Sequence, residues 1–456
     1  MFVSWAVPKG PTLDPAVKSL AVKVEDHPLD YGWFEGIIPS GYGMGDVVVW
    51  DDGWWEQDPE DDRDIDLATA IDEGELKFAL HGRKVEGRFL LLRTKDDQWL
   101  LFHKKDAAAV PGWQPEEHQR SVLSGRTNED VREHRPASWA GPTDDELAAL
   151  DDLAGAKGEW TVDGRTLMLT NLDKELIPRH GKSPGITKRD IVRYYACVAP
   201  WVAPWLAGRP LNLHRFPDGI EKGGFWHKAL PAHAPDWVRR WPNPLADEGE
   251  TRDYLLVDGA PALAWAANFA GIELHPWTST AAAPEEPSYA LVDIDPGPET
   301  TWDEALTLAR LYRTALDHLG LVARPKVTGQ RGIQVWIPVR RGYTFAETRA
   351  FVEALSRTVG GVVPGLVSWK WNKDARKGKA RLDYTQNMIN KTLVAPYSLR
   401  PARGGPVSVP IEWDELDDPD LRSDRWTIDD VLDRLDEHGD PFVALLAATD
   451  QELPTL

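Results

Sequence analysis

A chain of 456 residues that is 42% hydrophobic and 27% charged has room for two or three domains with substantial cores, and its composition is ordinary for a soluble protein. Its single cysteine, Cys197, excludes a disulfide framework within the chain and a cysteine-rich zinc site, which favours a reducing cytoplasm. A net charge of −21 argues against nonspecific nucleic-acid binding by the surface as a whole, no apolar stretch is long enough to span a membrane, and the N-terminus lacks the layout of a signal peptide.

Residues 1–118 are rich in Gly, Trp and Val, with short alternating runs at Asp46–Trp50, Leu76–Leu80 and Gly87–Leu92. Turn residues separate the runs, which predicts a small β-barrel or sandwich. Residues 119–157 are polar, carry Pro and Asp, and predict a linker with a short helix at Asp144–Ala154. From Gly158 the pattern becomes mixed α and β. Lys188–Ala199 reads as a helix that stops at Pro200. Trp302–Leu319 is amphipathic, with Ala305, Leu308, Ala309, Tyr312, Ala315, Leu316 and Leu319 on one side. Strands flank it at Ala290–Ile294 and Ile333–Val339, and further helices are expected at Phe345–Thr358 and Ile428–Leu435. Acid gathers in Asp51–Asp64, Asp144–Asp152 and Asp414–Asp440. Base gathers in Lys174–Arg193, His214–Lys228 and Lys370–Arg381, so a local basic groove on an acidic protein stays open.

Three carboxylates end apolar runs. Asp293 and Asp295 close Tyr289-Ala-Leu-Val-Asp-Ile-Asp295, and Asp383 closes Ala380-Arg-Leu-Asp383. Side chains alternate along a strand, so Asp293 and Asp295 share a face. A third carboxylate from a neighbouring strand would complete a cage for two hard divalent cations, as phosphoryl transfer requires. An Asp-x-Asp alone also fits a loop cap or a surface calcium site.

The neighbouring motifs decide between these readings. From about Leu169 to Phe442 the chain resembles the polymerase domain of bacterial DNA ligase D, within the archaeo-eukaryotic primase superfamily. The resemblance rests on Asp293-Ile-Asp295-Pro-Gly, on Glu273-Leu-His-Pro-Trp277, on Lys326-Val-Thr-Gly-Gln-Arg-Gly-Ile-Gln334, and on Asp383-Tyr-Thr-Gln-Asn387 continuing to Arg400. It implies that Asp293, Asp295 and Asp383 are catalytic and hold two Mn²⁺ or Mg²⁺ ions. It implies that His275, Thr328, Arg331, Gln386 and Arg400 bind the incoming nucleotide, with Gln386 and Asn387 beside its sugar and base. Thr328, Arg331 and Gln334 depart from the usual Ser, Lys and His. Arg keeps the charge with a different geometry, which leaves the nucleotide preference open but not the reaction type. Lys174 and Lys188 match lysines that grip the 5′-phosphate across a DNA gap. Phe225 and Trp226 match an aromatic pair that stacks on bases, and Arg215 and Lys228 face the nucleic acid. Surface lysines and a packed core Phe-Trp pair are the ordinary alternatives for these groups.

The N-terminal part resembles the 3′-phosphoesterase domain of ligase D through Ser4-Trp-Ala-Val-Pro-Lys-Gly-Pro11, Val24-Glu-Asp-His-Pro-Leu-Asp-Tyr31 and Phe34-Glu-Gly-Ile-Ile-Pro39. His27 and Tyr31 match active-site positions. The family's histidine-rich opening segment is not found ahead of them, so a truncated, structural barrel is expected, or else a start site placed too late. No Lys-x-Asp-Gly adenylation motif occurs. The expectation is an α+β primase-polymerase fold behind a partial β-barrel, in the bacterial cytoplasm at the nucleoid. It adds NTPs or dNTPs, ribonucleotides preferred, at gapped or broken DNA ends in end joining or excision repair. A separate ATP-dependent ligase and Ku are the implied partners. The competing readings are a non-catalytic DNA-end-binding module and a 3′-end-processing phosphoesterase.

Overall fold

Alternating apolar and polar residues make the N-terminal unit, Met1–Arg135, a sheet protein. The computed structural model describes the chain except residues 1, 29–30, 33, 39–43, 64, 134–136, 155–156, 182–183, 248, 251–252, 373, 377, 392 and 447, and the side chains of 67 and 374. Leu29, Asp30 and Pro39 of the N-terminal motifs therefore lie outside the described residues. Six antiparallel strands run in the order Phe2–Ala6, Ser19–His27, Gln98–His103, Glu86–Lys95, Glu75–Gly82 and Gly53–Gln57. Phe78, Phe89, Leu91 and Trp99 form the centre of its core. The order is open at both ends, as in a partial barrel rather than a closed one. The expected strand Asp46–Trp50 is cut to Gly45–Val47, paired with Gly36–Ile38. The backbone N–H of Val49 donates to the Glu35 carboxylate, and the Trp50 indole donates to the His118 carbonyl, which takes this segment out of the ladder.

The stretch 119–157 is not a free linker. Leu123 and Val131 are buried, and Arg126 pairs with Glu35 at 3.0 Å, so the first unit runs on to Arg135. Trp139 and Leu150 belong to the core of the second unit, Pro136–Leu456. The helix Asp144–Asp151, which carries Leu150, starts on a capping box of Thr143 and Glu146. A few apolar anchors in a polar stretch were enough to fix it.

The second unit is built around two antiparallel sheets. In one, Pro210–Arg215 is flanked by Phe225–His227, Asp253–Leu256 and Gly271–Pro276, with Arg240–Pro242 outermost. The other has the order Arg324–Val327, Ile333–Pro338, Tyr289–Asp295, Arg381–Asp383. The helices Trp302–His318 and Phe345–Val362 each begin on a capping box, Thr301 with Glu304 and Thr344 with Glu347. The second outruns its expected end at Thr358, and in the added turn Gly360 lies against Trp369, where a Cβ would come within 2.8 Å of the indole. Ala260–Asn268 is a helix that the sequence pattern did not single out. Its residues Ala260 to Ala267 are all buried, so no polar face marks a period. The break at Pro200 is real, but a new helix, Ala199–Leu206, starts there, where proline's missing N–H costs nothing. The last predicted helix extends to His438. Among the described residues no helix is long and apolar enough to cross a membrane.

Candidate active site

The strand Tyr289–Asp295 is central in its sheet, and register brings the carboxylates together. Asp293 lies directly across the ladder from Asp383 on one side and from Gln334 on the other. Burial, then the charges of Asp295 and Asp383, push the Asp293 carboxyl up to about 7. The Gln334 amide donates to Asp293 at 3.2 Å. Asp295 is paired with Arg376 at 2.8 Å. Asp383 is buried and accepts from the backbone N–H and hydroxyl of Thr385, from Arg381 at 3.1 Å and from Gln386 at 3.3 Å.

Three mutually repelling carboxylates, all oxygen donors, suit Mg²⁺ or Mn²⁺. Among the described residues, however, no three His, Cys, Asp or Glu are gathered into a ready metal cage. Arg376 and Arg381 supply positive charge to Asp295 and Asp383 instead. Sequence reasoning did not mark these two arginines, which sit in a basic run without a distinguishing pattern.

Beside the carboxylates lies a cavity of about 270 Å³ lined by His275, Asp293, Asp295, Thr328, Arg331 and Arg400, among others. Its floor is the turn between Arg324–Val327 and Ile333–Pro338. The Thr328 backbone N–H donates to the Gly332 carbonyl, and the Thr328 hydroxyl accepts from the Gly332 N–H. Gly329 takes φ +73°, and a Cβ there would meet the backbone of Val407 at 2.9 Å. Arg400 donates to the Thr328 carbonyl at 2.6 Å. Both ring nitrogens of His275 and the side-chain oxygen of Gln334 are buried without a hydrogen-bond partner. Orphaned polar atoms around a cavity are what an absent polar ligand leaves behind. Burial lowers the His275 pKa.

Two residues expected beside the nucleotide make protein contacts here. Gln386 holds the Asp383 carboxylate and is not among the residues lining the cavity. Asn387 is buried with its amide bonded to the backbone N–H and carbonyl of Leu291, so it clamps the carboxylate strand rather than facing a base. Asn387→Ala would leave both Leu291 groups without that partner, and each such loss costs about 1–3 kcal/mol. The expected outcome is a clear drop in Tm on thermal melting. An unchanged Tm would show that the clamp is dispensable. Arg331 donates to the carbonyls of Gly297 and Pro298 at the rim of the cavity.

A second cluster lies at the start of the helix Lys188–Cys197. Lys188 is buried and donates to the Asn268 carbonyl, while Lys174 donates to Pro217 and Asp218. Burial, then Lys174 and Arg215, bring the Lys188 pKa down to about 8. Lys188, with the charges of Lys174 and Arg215 acting on it at a helix N-terminus, is a group that an anion would relieve. Arg215 stacks on Phe269, with its guanidinium 3.3 Å from the ring centre, and on Phe225. Phe225 and Trp226 are half-exposed on a short strand, and Lys228 is exposed. Trp226 stacks face to face on His214 at 4.5 Å. In the N-terminal unit, His27 pairs with Ser4 at 2.9 Å and lies 5.2 Å from the ring of Tyr31.

Residues 187–442 match the family described as LigD, primase-polymerase domain, and residues 1–93 match the DNA Ligase D 3′-phosphoesterase domain. The multifunctional non-homologous end joining protein LigD of Mycolicibacterium smegmatis is 34% identical over 288 residues, 63% of this chain and 36% of that protein. The bifunctional non-homologous end joining protein LigD of Bacillus subtilis is 29% identical over 277 residues, 60% of this chain and 43% of that protein. The chain thus spans well under half the length of these curated relatives. The polymerase domain from Mycobacterium tuberculosis ligase D in complex with DNA aligns with a TM-score of 0.56 at 34% identity, over 62% of this chain and 98% of that domain.

Proposed function

Because the chain belongs to the ligase D primase-polymerase family, we propose that it adds nucleotides to the 3′ end of DNA under the direction of a template, at gaps and broken ends of the kind met in end joining or excision repair. The observation that carries this reading is one cavity lined both by the carboxylates Asp293 and Asp295 and by His275 and Arg400. Bound at Asp293, Asp295 and Asp383, two divalent cations would supply Lewis-acid activation of the primer hydroxyl and neutralise charge at the α-phosphate. The protein's own groups do the rest. Arg400 and His275 hold the triphosphate. Thr328 fixes the turn beneath it. Asn387 and Thr385 keep the carboxylates in register. Lys174, Lys188 and Arg215 take the 5′-phosphate at the far side of a gap, and the exposed Phe225 and Trp226 stack on bases without reading them. A separate ligase, with Ku, would close the repaired strand.

The test is extension of a labelled primer on a gapped duplex with Mn²⁺ or Mg²⁺, comparing NTPs with dNTPs. Extension that EDTA abolishes supports the reading. Tight binding of the gapped duplex with no extension under any metal would favour the end-binding module instead.

The N-terminal unit of residues 1–135 is proposed to have a structural rather than a hydrolytic role. One ring nitrogen of His27 is taken by Ser4, and its ring lies beside Tyr31. Incubating the 456-residue chain with a 3′-phosphate primer and Mn²⁺ should leave the phosphate in place. Dephosphorylation that survives Asp293→Ala and disappears in His27→Ala would overturn this.

A further inference from the structure

The sequence marked His275 and Arg400, but not the residue between them. Glu273 lies two positions before His275 on the strand Gly271–Pro276, so the two side chains share a face. Glu273 is 3% exposed. One carboxylate oxygen lies 2.6 Å from the Arg400 Nε, and the other lies 2.6 Å from the His214 Nδ1 and 3.9 Å from the His275 Nε2. The last distance is too long for a hydrogen bond, and the Arg400 contact is an ion pair without hydrogen-bond alignment. His214 stands across the ladder from Glu273. Its ring is stacked on Trp226, which in turn meets the His275 ring edge to face at 4.6 Å.

Resting on the nucleotide-addition reading above, we propose that Glu273 is the positioning residue of the nucleotide pocket, holding Arg400 and His275 in place for the triphosphate and tying them through His214 to the stacking face of Trp226. The guanidinium of Arg400 is held at two corners, by Glu273 at Nε and by the Thr328 carbonyl at Nη1, which directs its remaining N–H groups to the cavity that it lines. Burial pushes the Glu273 carboxyl up, but the hydrogen bond with His214 and the charge of Arg400 outweigh it and hold its pKa well below the usual carboxylate range. Deprived of its charge, Glu273 would leave the buried Arg400 guanidinium without its counter-charge and free to swing.

The test is equilibrium binding of a fluorescent ribonucleoside triphosphate with Mg²⁺, alongside steady-state extension of a gapped duplex. Glu273→Gln should weaken Kd and raise KM about tenfold while kcat changes little, because uniform binding is lost rather than transition-state binding. Glu273→Asp should recover part of the loss. In an Arg400→Ala background, Glu273→Gln should add less than about twofold, since the two groups act as one unit. Additive effects, or an unchanged Kd in Glu273→Gln, would overturn the proposal. If Glu273→Gln does not fold, as judged by thermal melting, Glu273→Asp carries the same cycle. Wild-type protein that binds nucleotide without adding it would sink the polymerase reading, while the Kd ratios still decide the role of Glu273. Wild-type protein that binds no nucleotide would sink both.

Discussion

Asp293→Ala and Asp295→Ala should each cut nucleotide addition by about 10³-fold or more while leaving DNA binding largely intact. Both residues lie on one face at the end of the central strand, and Asp293 sits across the ladder from Asp383. Crowding has a measurable sign here, since burial and two neighbouring carboxylates raise the Asp293 pKa to about 7. A cation relieves that repulsion, and so would removal of the Asp293 carboxylate, so Asp293→Ala should fold at least as stably as the parent, whereas Asp295→Ala also strips the buried Arg376 of its partner and should melt lower. Loss of activity in Asp293→Ala without a lowered melt is therefore the expected pair of results in an extension assay run beside a thermal scan. Near wild-type extension by either variant would remove the carboxylates from the chemistry.

The double variant Lys174→Ala, Lys188→Ala should no longer distinguish a 5′-phosphate from a 5′-hydroxyl at the far side of a gap. Each charge-assisted contact contributes about 1.5–3 kcal/mol, so the preference should fall by roughly tenfold or more per lysine. Burial, and then the charges of Lys174 and Arg215, bring the Lys188 pKa down to about 8. A lysine with a lowered pKa is fully charged only below that value. The 5′-phosphate preference of the parent should be complete below about pH 7 and should fade as pH rises through 8, with the bound phosphate moving the midpoint upward. Binding curves on paired 5′-phosphate and 5′-hydroxyl gaps across that range check both statements. Undiminished discrimination in the double variant would assign the two lysines a packing role only.

The carboxylates were legible because they end apolar runs, and strand alternation turns an Asp-x-Asp into two groups on one face. The direct pairing of Asp293 with Asp383 was not legible, since register between strands some ninety residues apart carries no local signal. Long amphipathic helices such as Trp302–His318 announced themselves, while the fully buried Ala260–Asn268 had no polar side to give its period away. Roles divided the same way. His275 and Arg400 were found from motifs and do line the cavity. Glu273, inside one of those motifs, was passed over because a carboxylate reads as surface until its partners are seen. Gln386 and Asn387 are polar and sit in a specific motif, and what the motif did not reveal is that they bond to Asp383 and to the Leu291 backbone. The supposed linker at 119–157 looked free because its few anchors, Leu123, Val131, Trp139 and Leu150, are scattered among polar residues.

The central claim is that this pocket adds nucleotides as a template dictates. Its most direct measurement is incorporation into a one-nucleotide gap bearing a 5′-phosphate, with each of the four nucleotides offered against each template base, as NTP and as dNTP. The account predicts that the complementary nucleotide is added in the presence of Mn²⁺ or Mg²⁺, and that Asp293→Ala adds none. Tight binding of the same gap with no addition of any nucleotide, or addition that ignores the template base, would contradict it.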